Sequence, residues 1–314
     1  MRNFLSVNDA PNVPELVAKA AQMKANPFGF EALGRRKTLG LLFFNPSLRT
    51  RISTVKAAQN LGMETIVMNV TQDSWQLETE DGAVMDGGKA EHVKEAAAVI
   101  GSYCDVLAVR SFPGLVDREE DYQEKILQAF VQYSGKPVIN MESATLHPLQ
   151  SLTDLLTIEE FKKVERAKIV LSWAPHVKPL PQAVSNSFAQ WVNHTNHELV
   201  IAAPEGMELS TEYAGKAEVL NDQAVALDGA HFVYAKNWSS YQHYGQIADH
   251  PDWIIDQTKM NLTQEAFFMH CLPVRRNVVV SDEVMDSDQA IHIQQASNRT
   301  WAAQAVLHSI LEKL

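Results

Sequence analysis

The sequence predicts an α/β protein made of two doubly wound parallel-sheet domains. Three observations carry this. Short apolar runs alternate with helical stretches, the alternation occurs twice along the chain, and 314 residues suit roughly two domains of about 150 residues each. An opening helix is expected over residues 11–26, where Leu16, Val17, Ala20 and Met23 recur at helical spacing. Strands are expected at 38–44, 64–70, 105–111 and 137–141, with helices at 48–61, 91–102 and 120–133 between them. This βαβα order implies a parallel sheet with helices on both faces. The second half repeats it, with strands at 167–174, 198–203, 231–235 and 266–272 and helices at about 150–162 and 181–191. A helix over about 298–313 closes the chain. The domain boundary falls near the helix that follows residue 150, giving expected domains over 1–150 and 151–293.

Composition excludes several classes. A net charge of -11 argues against a nucleic-acid partner, which usually meets a basic face. No apolar run reaches the ~18–20 residues of a membrane span, and the opening residues lack the pattern of a secretory signal. Two cysteines, Cys104 and Cys271, give no disulfide framework and no structural zinc set, so a reducing cytoplasm is expected. Against this acidic background, Arg49, Arg51, Arg275 and Arg276 follow expected strands and Arg110 stands at the end of one. Ligands of doubly wound sheets bind outside the carboxyl ends of the strands, so this placement points to a small anion.

The clearest segment is Asn45-Pro46-Ser47-Leu48-Arg49-Thr50-Arg51, between a buried strand and a helix. Ser47 suits an N-cap, and the helix N-terminus supplies unpaired N–H groups for a phosphate. Arg49 adds a bidentate donor and Thr50 a hydroxyl. On its own the segment reads equally as a capped helix with surface arginines. Two further segments follow in order: His147-Pro148-Leu149-Gln150 with Asp154, and His270-Cys271-Leu272-Pro273 with Arg275.

Together the three segments resemble the motifs of the aspartate/ornithine carbamoyltransferase family. The resemblance implies that fold, with the C-terminal segment 294–314 packing back on the first domain. It implies transfer of a carbamoyl group from carbamoyl phosphate to an amine, without metal or organic cofactor. Ser47, Leu48, Arg49 and Thr50 would cradle the phosphate. Arg110 would bridge the phosphate and the carbonyl oxygen, and His147 would donate to that oxygen. Gln150 and the carbonyls of Cys271 and Leu272 would accept from the carbamoyl NH2, and Arg299 would close over the phosphate. Alone, His147 would be a loop histidine and Arg299 a helix-surface charge, while Cys271 reads equally as a core thiol or as a catalytic residue acting through its side chain. Trp75, in the polar loop 71–88, resembles a loop tryptophan that donates to the phosphate of a neighbouring subunit, which implies a homotrimer with shared sites.

The acceptor is narrowed by a departure from the ornithine enzymes. Their Asp-x-x-x-Ser-Met-Gly element, which holds a free α-amino group, is absent. Here the corresponding stretch is His231-Phe-Val-Tyr-Ala-Lys-Asn-Trp238, with Lys236 in that region. A lysine suits a carboxylate or amide oxygen, so the α-amino group is expected to be acylated. This resembles the N-acylornithine branch, in which Glu142, His176, Lys236 and Arg275 fall at substrate-contacting positions. Small, uncharged Ala90, with Lys89 and Arg276 as candidate cations, points to N-succinylornithine. N-acetylornithine is the alternative, because a one-residue slip would put Glu91 at the deciding position. A non-catalytic anion-binding paralogue would lack a carbonyl-polarising residue, and Arg110, His147 and Gln150 are all present. A dinucleotide-dependent dehydrogenase would need a Gly-x-Gly-x-x-Gly turn after an early strand, and the chain has none.

Overall fold

The computed structural model describes residues 1–314. Its contacts group into two units: Met1–Gly114 with Glu119–Leu149 and Arg299–Leu314, and Leu115–Arg118 with Gln150–Asn298.

The first unit holds a four-stranded parallel sheet. Its strands are β1 (Thr38–Phe43), β2 (Glu64–Asn69), β3 (Val106–Arg110) and β4 (Val138–Glu142), in the order β2-β1-β3-β4. The near-continuous apolar runs of β1 and β3 are buried on both faces, as parallel strands covered by crossover helices must be. Gly40 lets this layer close: a Cβ there would lie 2.7 Å from the Cys104 sulfur and 2.8 Å from Leu107. Edge strand β2 is mostly half-exposed. The chain passes from β1 to β2 on one side and returns to place β3 on the other, so the order reverses at the β1 and β3 exits. Register levels those exits, pairing Phe43 with Arg110. The last helix, His292–Leu311, contributes to this unit from Arg299 onward. There Gln304 accepts from Asn60 at 2.9 Å and donates to the Pro27 carbonyl at 2.7 Å.

The second unit holds a five-stranded parallel sheet. Its strands are β5 (Lys168–Trp173), β6 (Glu198–Ala202), β7 (Glu218–Leu220), β8 (Phe232–Lys236) and β9 (Phe267–Met269), in the order β9-β8-β5-β6-β7. The order reverses between β5 and β8, and register pairs Trp173 with Lys236 at their carboxyl ends. Trp173, Trp191 and Trp238 are fully buried in this unit.

Several elements differ from the sequence expectation. The helix expected at 120–133 is broken into Arg118–Tyr122 and Lys125–Tyr133. Glu124 between them is left-handed (φ 49°), and its carboxylate accepts from the N–H and hydroxyl of Thr145. Edge strand β7 was not anticipated, since three residues carry too little periodicity to register. β9 ends at Met269, so Cys271 lies beyond the strand rather than in it. The last helix begins at His292 rather than near 298, because Gln295 and Asn298 find buried hydrogen-bond partners on the helix Pro148–Phe161.

Candidate active site

In the first unit the segment after β1 and the end of β3 are joined by hydrogen bonds. The Phe44 N–H donates to the Arg110 carbonyl at 3.0 Å, and the Asn45 side chain accepts from the Phe112 N–H at 2.6 Å. Arg110 Nη1 donates to the Asn45 and Pro46 carbonyls at 3.1 and 2.8 Å. The turn preceding the helix and the arginine are thus positioned by one another.

The helix itself runs Arg49–Asn60, and its N-cap is Leu48, with no side-chain cap. Ser47 therefore is not the capping residue, contrary to the sequence reading. The correction favours anion binding, because a helix start with no side-chain cap leaves its first N–H groups available. The buried Thr50 hydroxyl accepts from Arg299 Nη2 at 2.6 Å, and that nitrogen lies 3.4 Å from His147 Nε2. The buried Nε of Arg49 has no hydrogen-bond partner. Phe43, Asn45, Ser47, Leu48 and Arg51 border a concavity of about 390 Å³. Arg51 itself turns to β2, donating to Asn69 at 2.7 Å and lying over the Phe43 ring.

A second cluster stands beside this one. Arg110 Nη2 donates to Glu142 Oε2 at 3.1 Å, and His147 Nε2 lies 3.7 Å from the same oxygen. Arg110 is 7% exposed and His147 2%. A buried guanidinium needs a carboxylate to offset its desolvation, and Glu142 supplies it. Arg110 also stacks on Phe112 at 4.0 Å and keeps a buried Nε without a partner. Ser47, Leu48, Arg49, Thr50, Arg110, Glu142, His147 and Arg299 all belong to this unit.

In the second unit, His176 follows β5 and Lys236 ends β8, one on each side of the reversal in strand order. Lys236 is buried and donates to the Asn237 carbonyl at 2.8 Å. The His176 pKa lies below its ordinary value, chiefly through burial and then through the charges of Lys236, Arg275 and Lys178. Positive charge thus converges around His176. Arg275 is exposed and forms no ion pair. Gln150 donates to Asp154 at 2.7 Å. Leu272 holds a left-handed φ of 56°, strained for a bulky side chain, and its N–H donates to His270 Nδ1 at 2.9 Å.

The remaining predicted residues have partners of their own. Trp75 is 57% exposed and donates to Glu91 Oε2 of its own chain at 2.8 Å. Ala90 is exposed, just before a two-residue strand (Glu91–His92) that pairs with Leu77–Glu78. Lys89 and Arg276 do not offer the uncommitted charge expected of them. Lys89 pairs with Glu78 at 3.0 Å, and Arg276 grips Asp282 and Asp286 at 2.9 and 2.6 Å. Their partners come from nearby turns, which sequence spacing does not reveal. Asn45, Gln295 and Tyr234 also take part in these networks without a predicted role. Asn45 carried a signal, standing inside the phosphate segment before a proline, whereas Gln295 and Tyr234 carried none.

The chain resembles known proteins along its whole length. Residues 2–160 match the family model described as aspartate/ornithine carbamoyltransferase, carbamoyl-P binding domain, and residues 181–310 match the Asp/Orn binding domain of the same family. The chain is 51% identical to an N-succinylornithine carbamoyltransferase of Bacteroides thetaiotaomicron across 100% of both chains. It is 36% identical to an N-acetylornithine carbamoyltransferase of Xanthomonas axonopodis pv. citri, covering 99% of this chain and 96% of that one. Among solved structures, acetylornithine transcarbamylase complexed with acetylcitrulline superposes with a TM-score of 0.92 at 36% identity, covering 99% of each chain. A mutant N-acetyl-L-ornithine transcarbamylase complexed with carbamyl phosphate and N-succinyl-L-norvaline gives the same TM-score, 0.92, at 36% identity, covering 99% of this chain and 100% of that one.

Proposed function

The chain belongs to the aspartate/ornithine carbamoyltransferase family, and from that premise we propose that it carbamoylates the δ-amino group of N-succinyl-L-ornithine. The products are N-succinyl-L-citrulline and phosphate, and the reaction serves arginine biosynthesis. The observation that carries the acceptor is the convergence of His176, Lys236 and Arg275, with no carboxylate at the end of β8 to hold a free α-ammonium. The greater identity to N-succinylornithine enzymes than to N-acetylornithine enzymes supports succinyl over acetyl.

The chemistry asks the protein for three things: to hold the phosphate, to polarise the carbonyl, and to place a neutral amine. The N–H groups at the start of helix Arg49–Asn60, with Ser47, Arg49, Thr50 and Arg299, hold the phosphate. Arg110 and His147 stabilise the oxygen that becomes negative when the amine attacks the carbonyl carbon. The C–N bond forms, the C–O bond to phosphate breaks, and the phosphate leaves with the bonding pair. Preorganised donors at a developing oxyanion, together with positioning, account for most of the rate in such reactions. The δ-ammonium must shed a proton before attack, and Glu142 is the carboxylate suited to receive it. Gln150 and the Cys271 and Leu272 carbonyls accept from the carbamoyl NH2. His176, Lys236 and Arg275 bind the acceptor's carboxylate and acyl oxygens, and Ala90 leaves room for the succinyl tail.

This reading includes a homotrimer in the cytoplasm, with Trp75 serving a neighbouring subunit's phosphate site. Exposed Leu48 and Ile52 on the first helical turns beside that site, with Ile66 on edge strand β2, support self-association. No helix is long and apolar enough to cross a membrane. The test is product formation from carbamoyl phosphate with ornithine, N-acetylornithine and N-succinylornithine in parallel. Turnover of N-succinylornithine alone is expected. Turnover of free ornithine alone would reject the blocked-amine argument, and a preference for N-acetylornithine would reject the succinyl assignment.

A further inference from the structure

A buried carboxylate in the second unit touches two amides and has no part in the chemistry described above. Asp154 is fully buried, and its Oδ1 accepts from Gln150 Nε2 at 2.7 Å and from Gln295 Nε2 at 2.6 Å. A group that points at a carboxylate oxygen at that distance must be a donor, so both amides turn their NH2 ends towards Asp154. For Gln150 the consequence is that Oε1 faces the other way. That oxygen is buried and has no partner. A buried acceptor without a donor is costly, and the arrangement is reasonable where a ligand N–H supplies one.

The second amide carries the same order further. Gln295 Oε1, forced away from Asp154, accepts the His270 N–H at 2.9 Å. His270 Nδ1 then accepts the Leu272 N–H at 2.9 Å, which establishes this nitrogen as the unprotonated one. This bond spans Cys271 and helps hold Leu272 in its strained left-handed conformation. One carboxylate therefore fixes the Gln150 carbonyl directly and the carbonyls of residues 271 and 272 through two intermediaries. Tyr234 completes the surroundings. Burial foremost, with neighbouring Asp154 and Cys271, holds its pKa well above its ordinary value, so it stays a neutral phenol.

We propose that Asp154 is the positioning residue that aims every acceptor for the donor's carbamoyl NH2, and so makes the protein select a carbamoyl over an acetyl group on the same phosphate. The proposal rests on the carbamoyltransferase reading, and the roles of Gln150, Cys271 and Leu272 come from that reading. Asp154 itself touches no substrate. Without it the Gln150 amide is free to turn its NH2 towards the ligand, where two donors would meet.

The experiment compares the binding of carbamoyl phosphate, acetyl phosphate and inorganic phosphate to the full-length wild type, to Asp154→Leu and to Asp154→Asn. Wild type is expected to favour carbamoyl phosphate over acetyl phosphate, whose methyl group cannot donate. In Asp154→Leu that preference falls roughly 10-fold, the equivalent of a lost hydrogen bond, while inorganic phosphate binds as before. Asp154→Asn keeps an acceptor oxygen in place and restores most of the preference. An unchanged preference in Asp154→Leu overturns the proposal, as does equal weakening of all three ligands, which would mark a merely structural residue. If Asp154→Leu does not fold, Gln295→Met decides. It cuts only the arm to residues 270–272, and its preference is expected to fall by about half as much on a logarithmic scale; no change overturns the proposal. A wild type that ignores carbamoyl phosphate altogether would instead reject the carbamoyltransferase reading.

Discussion

The buried cations of the first unit and the cations around His176 in the second are held in opposite ways. Arg110 is buried, with its guanidinium divided among two carbonyls and the Glu142 carboxylate. Arg299 is tied to Thr50. Around His176, by contrast, the charges of Lys236, Arg275 and Lys178 converge without a balancing carboxylate among the causes of its lowered pKa. The first set has its geometry built in, as the proposed reaction asks of donors at a developing charge. The second gathers positive charge around His176, where the proposed reading puts the carboxylate of the acceptor. Geometry is invested where bonds change, and surplus charge where binding selects.

The largest expected effect breaks the donor side. Arg110→Met removes the bridge to the carbonyl oxygen and leaves Glu142 buried without its cation. Steady-state kinetics should show kcat falling by about 10²–10³-fold, the usual loss when one oxyanion donor is removed. A fall confined to KM would mean that Arg110 only binds ground-state phosphate. Next, Lys236→Met should raise KM for N-succinylornithine by roughly 10–100-fold, the range for a lost charged hydrogen bond, with KM for carbamoyl phosphate nearly unchanged. An equal rise in both constants would dissolve the division of labour between the units.

A smaller effect is expected on pH. The His176 pKa is lowered in the free protein, and a bound carboxylate should raise it again. Binding of the acylornithine then takes up a proton, and affinity rises as pH falls through the interval between the raised and the lowered value. Stability moves the other way: the unfolded chain, with the higher histidine pKa, takes the proton first, so this contribution declines as pH drops below about 6.5. Calorimetry in buffers of different ionisation enthalpy measures the uptake, and His176→Gln should abolish it. The smallest effect belongs to Arg276→Ala. This exposed residue is occupied by Asp282 and Asp286, so kcat/KM for N-succinylornithine should stay within about twofold. A large loss would reinstate Arg276 as a succinyl-binding cation.

Legibility in the sequence follows the same division. Strands β1, β3, β4 and β5 were readable because buried parallel strands are continuous apolar runs between helical stretches. The phosphate segment was readable because its members are neighbours in the chain. Glu142 and His147 could be placed near strand ends, but their closeness to Arg110 depends on the pairing of β3 with β4, which periodicity does not encode. The break at Glu124 depends on a hydrogen bond to Thr145 across a turn. Ser47 looked like a cap because its residue type is suitable, yet the turn geometry gives that position to Leu48. The salt bridges of Lys89 and Arg276 and the tether through Gln295 are likewise properties of side-chain reach. Local composition has no access to them.

The bond from Arg299 to Thr50 spans 249 positions of sequence. Biosynthesis runs from one end, so the sheet of the first unit is translated long before the helix that contributes Arg299. Everything between them, including the whole second unit, must leave the ribosome first. A nascent chain can pair strands β1, β2, β3 and β4 early, but Thr50 lacks its Arg299 partner until the last helix emerges. The pairing of helix start and last helix is thereby completed only at the end of translation.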